Sequence, residues 1–204
     1  MTLVVQAGGS SSRMGRDKAL APFLGKTLIE RVLERTTSIA SEVVVTTNSP
    51  ENYIFLGLPL VPDLLPGHGA LGGLFTALST ASHPLVAVVA CDMPFANAAL
   101  LAAQCDWLVQ SGAAAAIPRT EYGLEPFHAV YHAERCFPAI KAALHAGKKR
   151  LDAWLPDVMV RYTTSAEIAL FDPHGLAFRN VNTPEELEKA QATAQKLDKE
   201  SLIK

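Results

Sequence analysis

The chain has 204 residues, of which 49% are apolar and 19% charged, and a formal net charge of −2. That length suits one α/β domain with a sizeable core. The charge balance gives no electrostatic footprint for nucleic acid, and no apolar run is long enough to cross a bilayer.

Residues 2–7 read as a buried first strand, and 8–26 as a long loop with a short helical turn. Thr27 is an N-cap with Glu30 three residues on, a capping box. Leu28, Ile29, Val32 and Leu33 then give the following helix its apolar face. Residues 42–47 form a second strand and 58–61 a short third one ending at Asp63. Residues 67–73 form a Gly-rich turn feeding a helix to about Thr80. The run from Pro84 to Cys91 is continuously apolar, as in a strand covered on both faces, and ends at Asp92-Met93-Pro94-Phe95. A helix over 97–109 and a strand over 113–117 follow. Next come a hairpin tip at Glu121-Tyr122-Gly123, a strand over 127–131 and a helix over 134–145. A basic turn, Gly147-Lys148-Lys149-Arg150, opens a short helix with Leu151 and Trp154, and a strand spans 159–162. Thr183, Pro184 and Glu186 occupy the N-cap, N1 and N3 of a last helix that runs into a Lys-rich tail.

Strands alternating with helices predict an α/β fold with a doubly wound, mostly parallel sheet and helices on both faces. Ligands then sit at the carboxyl ends of the strands. The segment Gln6 to Lys18, Asn48, Asp63 and Asp92 all fall at that edge. Met1-Thr2 leads directly into a strand, without the regions of a secretory signal. The three cysteines, Cys91, Cys105 and Cys136, are odd in number and lack CxxC spacing. Reduced thiols in a cytoplasmic protein are expected, not a disulfide frame or a zinc site.

Gln6-Ala7-Gly8-Gly9-Ser10-Ser11-Ser12-Arg13-Met14-Gly15-Arg16-Asp17-Lys18 follows the first strand. Its small residues let a ligand approach the backbone, whose amides form an anion-binding concavity. Arg13 and Lys18 add fixed positive charge, so the loop suits a polyphosphate. Asp92 is the best metal ligand, since Mg²⁺ on a polyphosphate is held by one or two carboxylates. Asp63 is either a base or ribose contact or a turn residue. Asn180 and Asn182, on alternate positions of an extended segment, point the same way. They either complete a metal or phosphate shell or form a turn. Two motifs mislead. Gly25-Lys26-Thr27 lacks the glycine that a Walker A loop needs at position 20, which is Leu. Gly67-His68-Gly69-Ala70-Leu71-Gly72 matches GxGxxG, with Asp92 20 residues on. The strand before it, however, is broken by Pro59, Pro62 and Pro66, so an NAD-binding reading is poorly supported.

With these residues in place, the chain resembles the molybdenum cofactor guanylyltransferases, the MobA-like nucleotidyltransferases. The family pattern is Leu-Ala-Gly-Gly-x-Ser-x-Arg-Met-Gly-x-Asp-Lys, and only Gln6 departs from it. Gly25-Lys26-Thr27-Leu28, Val43-Val44-Val45, Gly69-Ala70-Leu71-Gly72-Gly73, Cys91-Asp92-Met93-Pro94-Phe95 and Val181-Asn182-Thr183-Pro184-Glu185-Glu186-Leu187 follow in family order. The resemblance implies a Rossmann-like fold of the nucleotide-diphospho-sugar transferase type. It also implies a single domain with a nucleotide-binding half (1–117), an acceptor-binding half (118–190) and a helical tail (191–204).

The implied activity is transfer of GMP from GTP to the terminal phosphate of molybdopterin, as the molybdenum cofactor, with Mg²⁺ and release of pyrophosphate. Gln6, Ala7 and Gly8 would line the guanine and ribose side, with Gly9, Ser10, Asn48, Asp63 and Gly72 also at the nucleotide. Arg13 and Lys18 would hold the triphosphate and Asp92 the metal. Lys149 and Arg150, with Lys148 beside them, and Asn180 and Asn182 are acceptor candidates. Transient contact with molybdenum-insertion proteins or molybdoenzymes would follow. The competing readings are a CTP-using molybdopterin enzyme, another small-phosphate nucleotidyltransferase, and a non-catalytic nucleotide-binding partner.

Overall fold

The structure is a computed structural model that describes residues 1–8 and 17–201, with side chains through residue 197. In chain order the elements are β1 (Thr2–Gln6), β2 (Pro22–Phe23), β3 (Lys26–Thr27), α1 (Leu28–Thr36), β4 (Glu42–Thr46), β5 (Leu60–Val61), α2 (Gly69–Thr80), β6 (Leu85–Ala90), α3 (Ala98–Ser111), β7 (Ala115–Thr120), β8 (Gly123–Leu124), β9 (His128–His132), α4 (Ala133–His145), β10 (Val160–Thr163), α5 (Ser165–Ala169) and α6 (Pro184–Ser201). The main sheet runs β10-β7-β9-β6-β1-β4-β5, with β8 paired to β7. The expected α/β architecture with a mostly parallel sheet is observed.

Alternation along the strands builds two cores, one on each face. Val4, Val44, Val86 and Val88 pack with Leu71 and Leu74 of α2 and Cys136 and Ile140 of α4. Leu3, Val5, Val45, Ala87 and Val89 pack on the other face, against Ile29 and Val32 of α1 and Leu101 and Leu108 of α3. Both faces are covered, which is why the middles of β1 and β4 and the whole of β6 are continuously apolar. β1 pairs in parallel with β4 on one side and β6 on the other. The chain therefore winds outward from β1 through β4 and β5, then crosses to β6. A crevice opens at the carboxyl ends of β1 and β6, where the winding direction reverses.

β9 runs antiparallel to both its neighbours, β6 and β7, between which it is inserted. After the β7–β8 hairpin the chain returns through a short bend, without the crossover that a parallel neighbour requires. Other boundaries shift for local reasons. The third strand shrinks to Leu60–Val61 between Pro59 and Pro62, which cannot donate ladder hydrogen bonds. The glycines of 67–73 do not all form a turn, because α2 begins at Gly69. Leu151 and Trp154 lie in turns ahead of a 3-10 turn at Leu155–Asp157. α5 was not expected, although Thr164 and Glu167 form a full capping box.

The capping box of Thr27 and Glu30 is present. Asn182 and Thr183 both donate their backbone N–H to Glu186 Oε2, at 2.6 and 3.2 Å, and Glu186 N–H donates back to Thr183 Oγ1. α6 folds back over the N-terminal half. Val181 and Ala190 pack with Phe23, Leu28 and Phe95, so the segment before α6 lies beside the end of β6.

His128 in β9 is 0% exposed. Its Nε2 accepts the Asn97 N–H at 3.0 Å, and its ring meets Phe178 edge-on at 5.2 Å. Burial holds the imidazole down from the ordinary 6.5 to about 4. The unfolded chain therefore binds one more proton than the fold between those values. The stability from the neutral ring is complete above about 6.5 and is lost as pH falls toward about 4. In urea titrations, His128→Gln should show a smaller loss of midpoint across that window than the parent. Parallel losses in the two proteins would refute the assignment.

Candidate active site

A cleft of about 720 Å³ opens at the carboxyl edge of the sheet, lined by Gln6, Ala7, Gly8, Asp17, Thr46, Thr47, Asn48, Asp63, Gly69 and Gly73 among others. A second lobe of about 240 Å³ shares Gln6, Ala7, Gly8, Asp17 and Phe127 with it and reaches Lys18, Asp92 and Asn180. The first lobe lies over β1, β4 and the N-terminus of α2, the second over β1 and β6. Gln6, Ala7, Gly8, Asn48, Asp63, Lys18, Asp92 and Asn180 thus share one cleft. Gly9, Ser10 and Arg13 lie outside the described residues.

The polar centre is Asp92, 7% exposed, two residues past the end of β6. Its Oδ2 pairs with the Lys18 ammonium. Lys18 also donates to Asn182 Oδ1 at 2.9 Å. Val181 N–H donates to the Asp92 carbonyl at 2.9 Å, which fixes the approach of the Asn180–Asn182 segment. Asp92 Oδ1 is shielded from solvent and has no partner among the described residues. A buried carboxylate oxygen without a partner is costly unless a donor or cation reaches it.

That orphan oxygen tests the fit of a metal. Among the described residues, no three His, Cys, Asp or Glu side chains cluster as a cation cage. Mg²⁺ does not need one, since it keeps waters and takes one or two carboxylates plus substrate phosphates. Asp92, with an amide oxygen from Asn180 or Asn182 nearby, fits a metal that arrives on a polyphosphate.

Asp17 also lines both lobes, but both its oxygens are used. Oδ1 accepts the Ala19 N–H at 3.1 Å, capping the 3-10 turn Lys18–Leu20. Oδ2 accepts the Tyr53 hydroxyl at 2.5 Å. At the far wall Asn48 Oδ1 accepts the Asp63 N–H at 3.0 Å. Asp63 Oδ1 accepts from Leu65 N–H at 3.0 Å and Thr76 Oγ1 at 2.8 Å. Asp63 is thus both a turn residue and a cleft residue, with one oxygen tying the loop to α2. Gln6 donates its amide to the Gly73 carbonyl at 2.8 Å, joining β1 to α2.

Other candidates fall elsewhere. Gly72 is buried and does not line the cleft, whereas Gly69 and Gly73 do. A Cβ on Gly72 would come within 2.8 Å of His68 Cβ and 3.0 Å of the Leu65 carbonyl. Gly69 has φ +63°, and its face is closed by the Lys149 carbonyl, which accepts the Leu71 N–H at 3.2 Å. Lys149 therefore braces the α2 N-terminus through its backbone. Arg150 turns the Nε–Nη2 edge of its guanidinium to Asp152, donating to Oδ1 at 3.0 Å and to Oδ2 at 2.7 Å. Neither Lys149 nor Arg150 lines the cleft. Lys26 pairs with Glu34 at 2.8 Å on the surface, as a turn residue would. Asp17, Thr46, Thr47 and Phe127 were not assigned roles from the sequence. Asp17 and the two threonines do sit where strand ends meet the loop, the signal that located the others.

Residues 3–159 match the MobA-like NTP transferase domain family. A probable molybdenum cofactor guanylyltransferase of Pelotomaculum thermopropionicum is 37% identical over 95% of this chain and 93% of its own length. A molybdenum cofactor guanylyltransferase of Desulfosudis oleivorans is 33% identical over 94% and 95%. The solved structure of molybdopterin-guanine dinucleotide biosynthesis protein A from Archaeoglobus fulgidus superposes with a TM-score of 0.83 at 28% identity, covering 96% of this chain and all of that one.

Gly72 and Gly73 separate packing from lining. Gly72→Ala should cost about 1–3 kcal/mol in chemical denaturation, because the Leu65 carbonyl cannot yield cheaply. Gly73→Ala meets only ordinary contact with the Gln6 amide at 3.7 Å and should be neutral or gain about 0.5–1 kcal/mol of helix propensity. Equal stability of the two variants would contradict the packing assigned to Gly72.

Proposed function

The chain belongs to the MobA-like NTP transferase family, and from that premise we propose that it transfers GMP from GTP to the terminal phosphate of molybdopterin or the molybdenum cofactor, with Mg²⁺. It is a nucleotidyltransferase. The observation that carries the proposal is the pairing of Asp92 with Lys18 at the β1/β6 crevice, with one carboxylate oxygen left without a partner among the described residues. The names of the relatives support the guanine nucleotide and the molybdenum cofactor as substrates.

The residues divide the work. The lobe over β4 and α2, with Asn48 and Asp63, receives the nucleoside; the lobe at Lys18 and Asp92 receives the phosphates. Lys18 swings from Asp92 to the triphosphate as negative charge enters, an exchange that costs little because both partners are anionic. Asp92 and the amide oxygens of Asn180 and Asn182 would hold Mg²⁺. Bound there, the metal would neutralise charge on the α-phosphate and on the departing pyrophosphate. A terminal phosphate oxygen of the acceptor attacks the α-phosphorus. One P–O bond forms, the bond to the β-phosphate bridge breaks, and the electron pair leaves with pyrophosphate. The nucleophile arrives as an anion, so the protein's part is positioning and charge stabilisation. Arg13, Gly9 and Ser10 would complete the phosphate cradle.

The second reading, CTP as donor, rests on Gln6, which replaces the family's leucine at the mouth of β1. The acceptor would be met by the Asn180–Asn182 segment, and the exposed Lys149–Arg150 turn is a further candidate contact for it. The enzyme would work in the cytoplasm, where its three free cysteines stay reduced. Among the described residues no helix is long and apolar enough to cross a membrane. It would hand its product to molybdenum-insertion proteins or molybdoenzymes through transient contact.

Pyrophosphate release should be measured with each of the four nucleoside triphosphates, molybdopterin and Mg²⁺. Turnover is expected with GTP; turnover with CTP alone would reassign the donor. Asp92→Asn should lower kcat roughly 100-fold or more, beyond the loss typical of an outer-shell partner, with the fold intact by circular dichroism. Undiminished kcat would remove Asp92 from the metal site.

A further inference from the structure

We propose that Tyr53 is a positioning residue for the transfer, holding Lys18 at Asp92 through Asp17. The proposal rests on the reading of Lys18 as the triphosphate lysine. Tyr53 is 0% exposed and sits between the 3-10 turns Pro50–Asn52 and Ile54–Leu56. Core position alone asks only for an aromatic ring, which phenylalanine would supply. The hydroxyl needs a separate account, because burying it is unfavourable without a partner. It donates to Asp17 Oδ2 at 2.5 Å, a bond to an ionised acceptor and so of the stronger class. Burial, reinforced by that carboxylate, drives the phenol well above its ordinary value, so it remains a donor throughout the neutral range.

Asp17 passes the restraint on. Its other oxygen caps the turn Lys18–Leu20 at the Ala19 N–H. Ala19 is 0% exposed, packed in the core between Tyr53 and the first strand. Lys18 therefore leaves a turn gripped at both sides, and its ammonium reaches Asp92 and Asn182. The link also spans the two lobes. Tyr53 closes the segment that begins with Thr47, Asn48 and Ser49 on the nucleoside wall, while Lys18 stands at the phosphate end. Both Asp17 oxygens thus have a structural partner although the residue lines the cleft.

Lysine accessibility tests this without recourse to catalysis. In the full chain, reductive methylation by formaldehyde and cyanoborohydride, read by peptide mass spectrometry, should label Lys18 slowly. Tyr53→Phe should speed Lys18 labelling roughly tenfold, leaving Lys26 and Lys141 within about twofold. Asp17→Ala should give the same rise, and adding Tyr53→Phe to it should add nothing. An unchanged Lys18 rate, or a uniform rise at all lysines, would overturn the proposal. Kinetics give the second readout. Tyr53→Phe should lower kcat roughly tenfold in the parent and not at all in Lys18→Met; equal losses in both backgrounds would show that Tyr53 acts elsewhere. A parent without turnover on any nucleotide would sink the functional reading and leave the labelling result standing.

Discussion

A single carboxylate at the end of a buried strand governs this structure. Asp92 follows six residues of β6 that are buried or nearly so, and an ionised oxygen there must be compensated. Compensation comes from Lys18, 74 positions earlier, while Asn182 meets that ammonium from 164 positions beyond it. Three distant pieces of chain are thus held together by charge and hydrogen bonding at one point. Among the described residues the compensation is incomplete, since one oxygen has no partner. An oxygen so placed can take a donor or a cation that a ligand brings.

The sheet makes this placement possible. Because β1 is flanked by parallel strands on both sides, its carboxyl end and that of β6 open into the same crevice. The Cys91 N–H donates to the Gln6 carbonyl at 3.0 Å, which sets the two strand ends level. The two cores on opposite faces make the strands rigid up to that line. Beyond it the walls are loops, each tied to a helix. Asp63 is bonded to Thr76 of α2, Gln6 to Gly73 of α2, and Lys149 to Leu71 of α2. The stretch of α2 from Leu71 to Thr76 is therefore the common brace of the nucleoside lobe, and Gly69 and Gly72 are the positions where neighbouring loops press on the helix.

Much of this was legible in the residues. Capping boxes at Thr27 and Thr183 are local events, set by side chains three positions apart, and they appear where expected. The apolar run of β6 and its terminating Asp92 are likewise local. The antiparallel sense of β9 is not, because strand direction depends on whether the return path is a hairpin or a crossover. α5 was missed although Thr164-x-x-Glu167 carries the same signal as Thr27-x-x-Glu30; its apolar face is too short to show a period. The choice between Gly72 and Gly73 turns on which side of α2 faces the loop, information held by packing alone. The basic turn at 148–150, an acceptor candidate from the resemblance, does not line the cleft: Arg150 is engaged by Asp152 two residues on, and the Lys149 carbonyl meets α2. Arg13, the other cation expected at the triphosphate, lies outside the described residues.

Gln6 shows how a departure from a family pattern can be read physically. A leucine there would only fill space between β1 and α2. The glutamine donates one amide N–H to the Gly73 carbonyl at 2.8 Å, which leaves it a second N–H and a carbonyl oxygen at the mouth of β1. Anything that enters there meets both a donor and an acceptor where leucine would offer neither. The bond to Gly73 also ties that amide to α2, so the helix and not solvent restricts how the donor and the acceptor are presented.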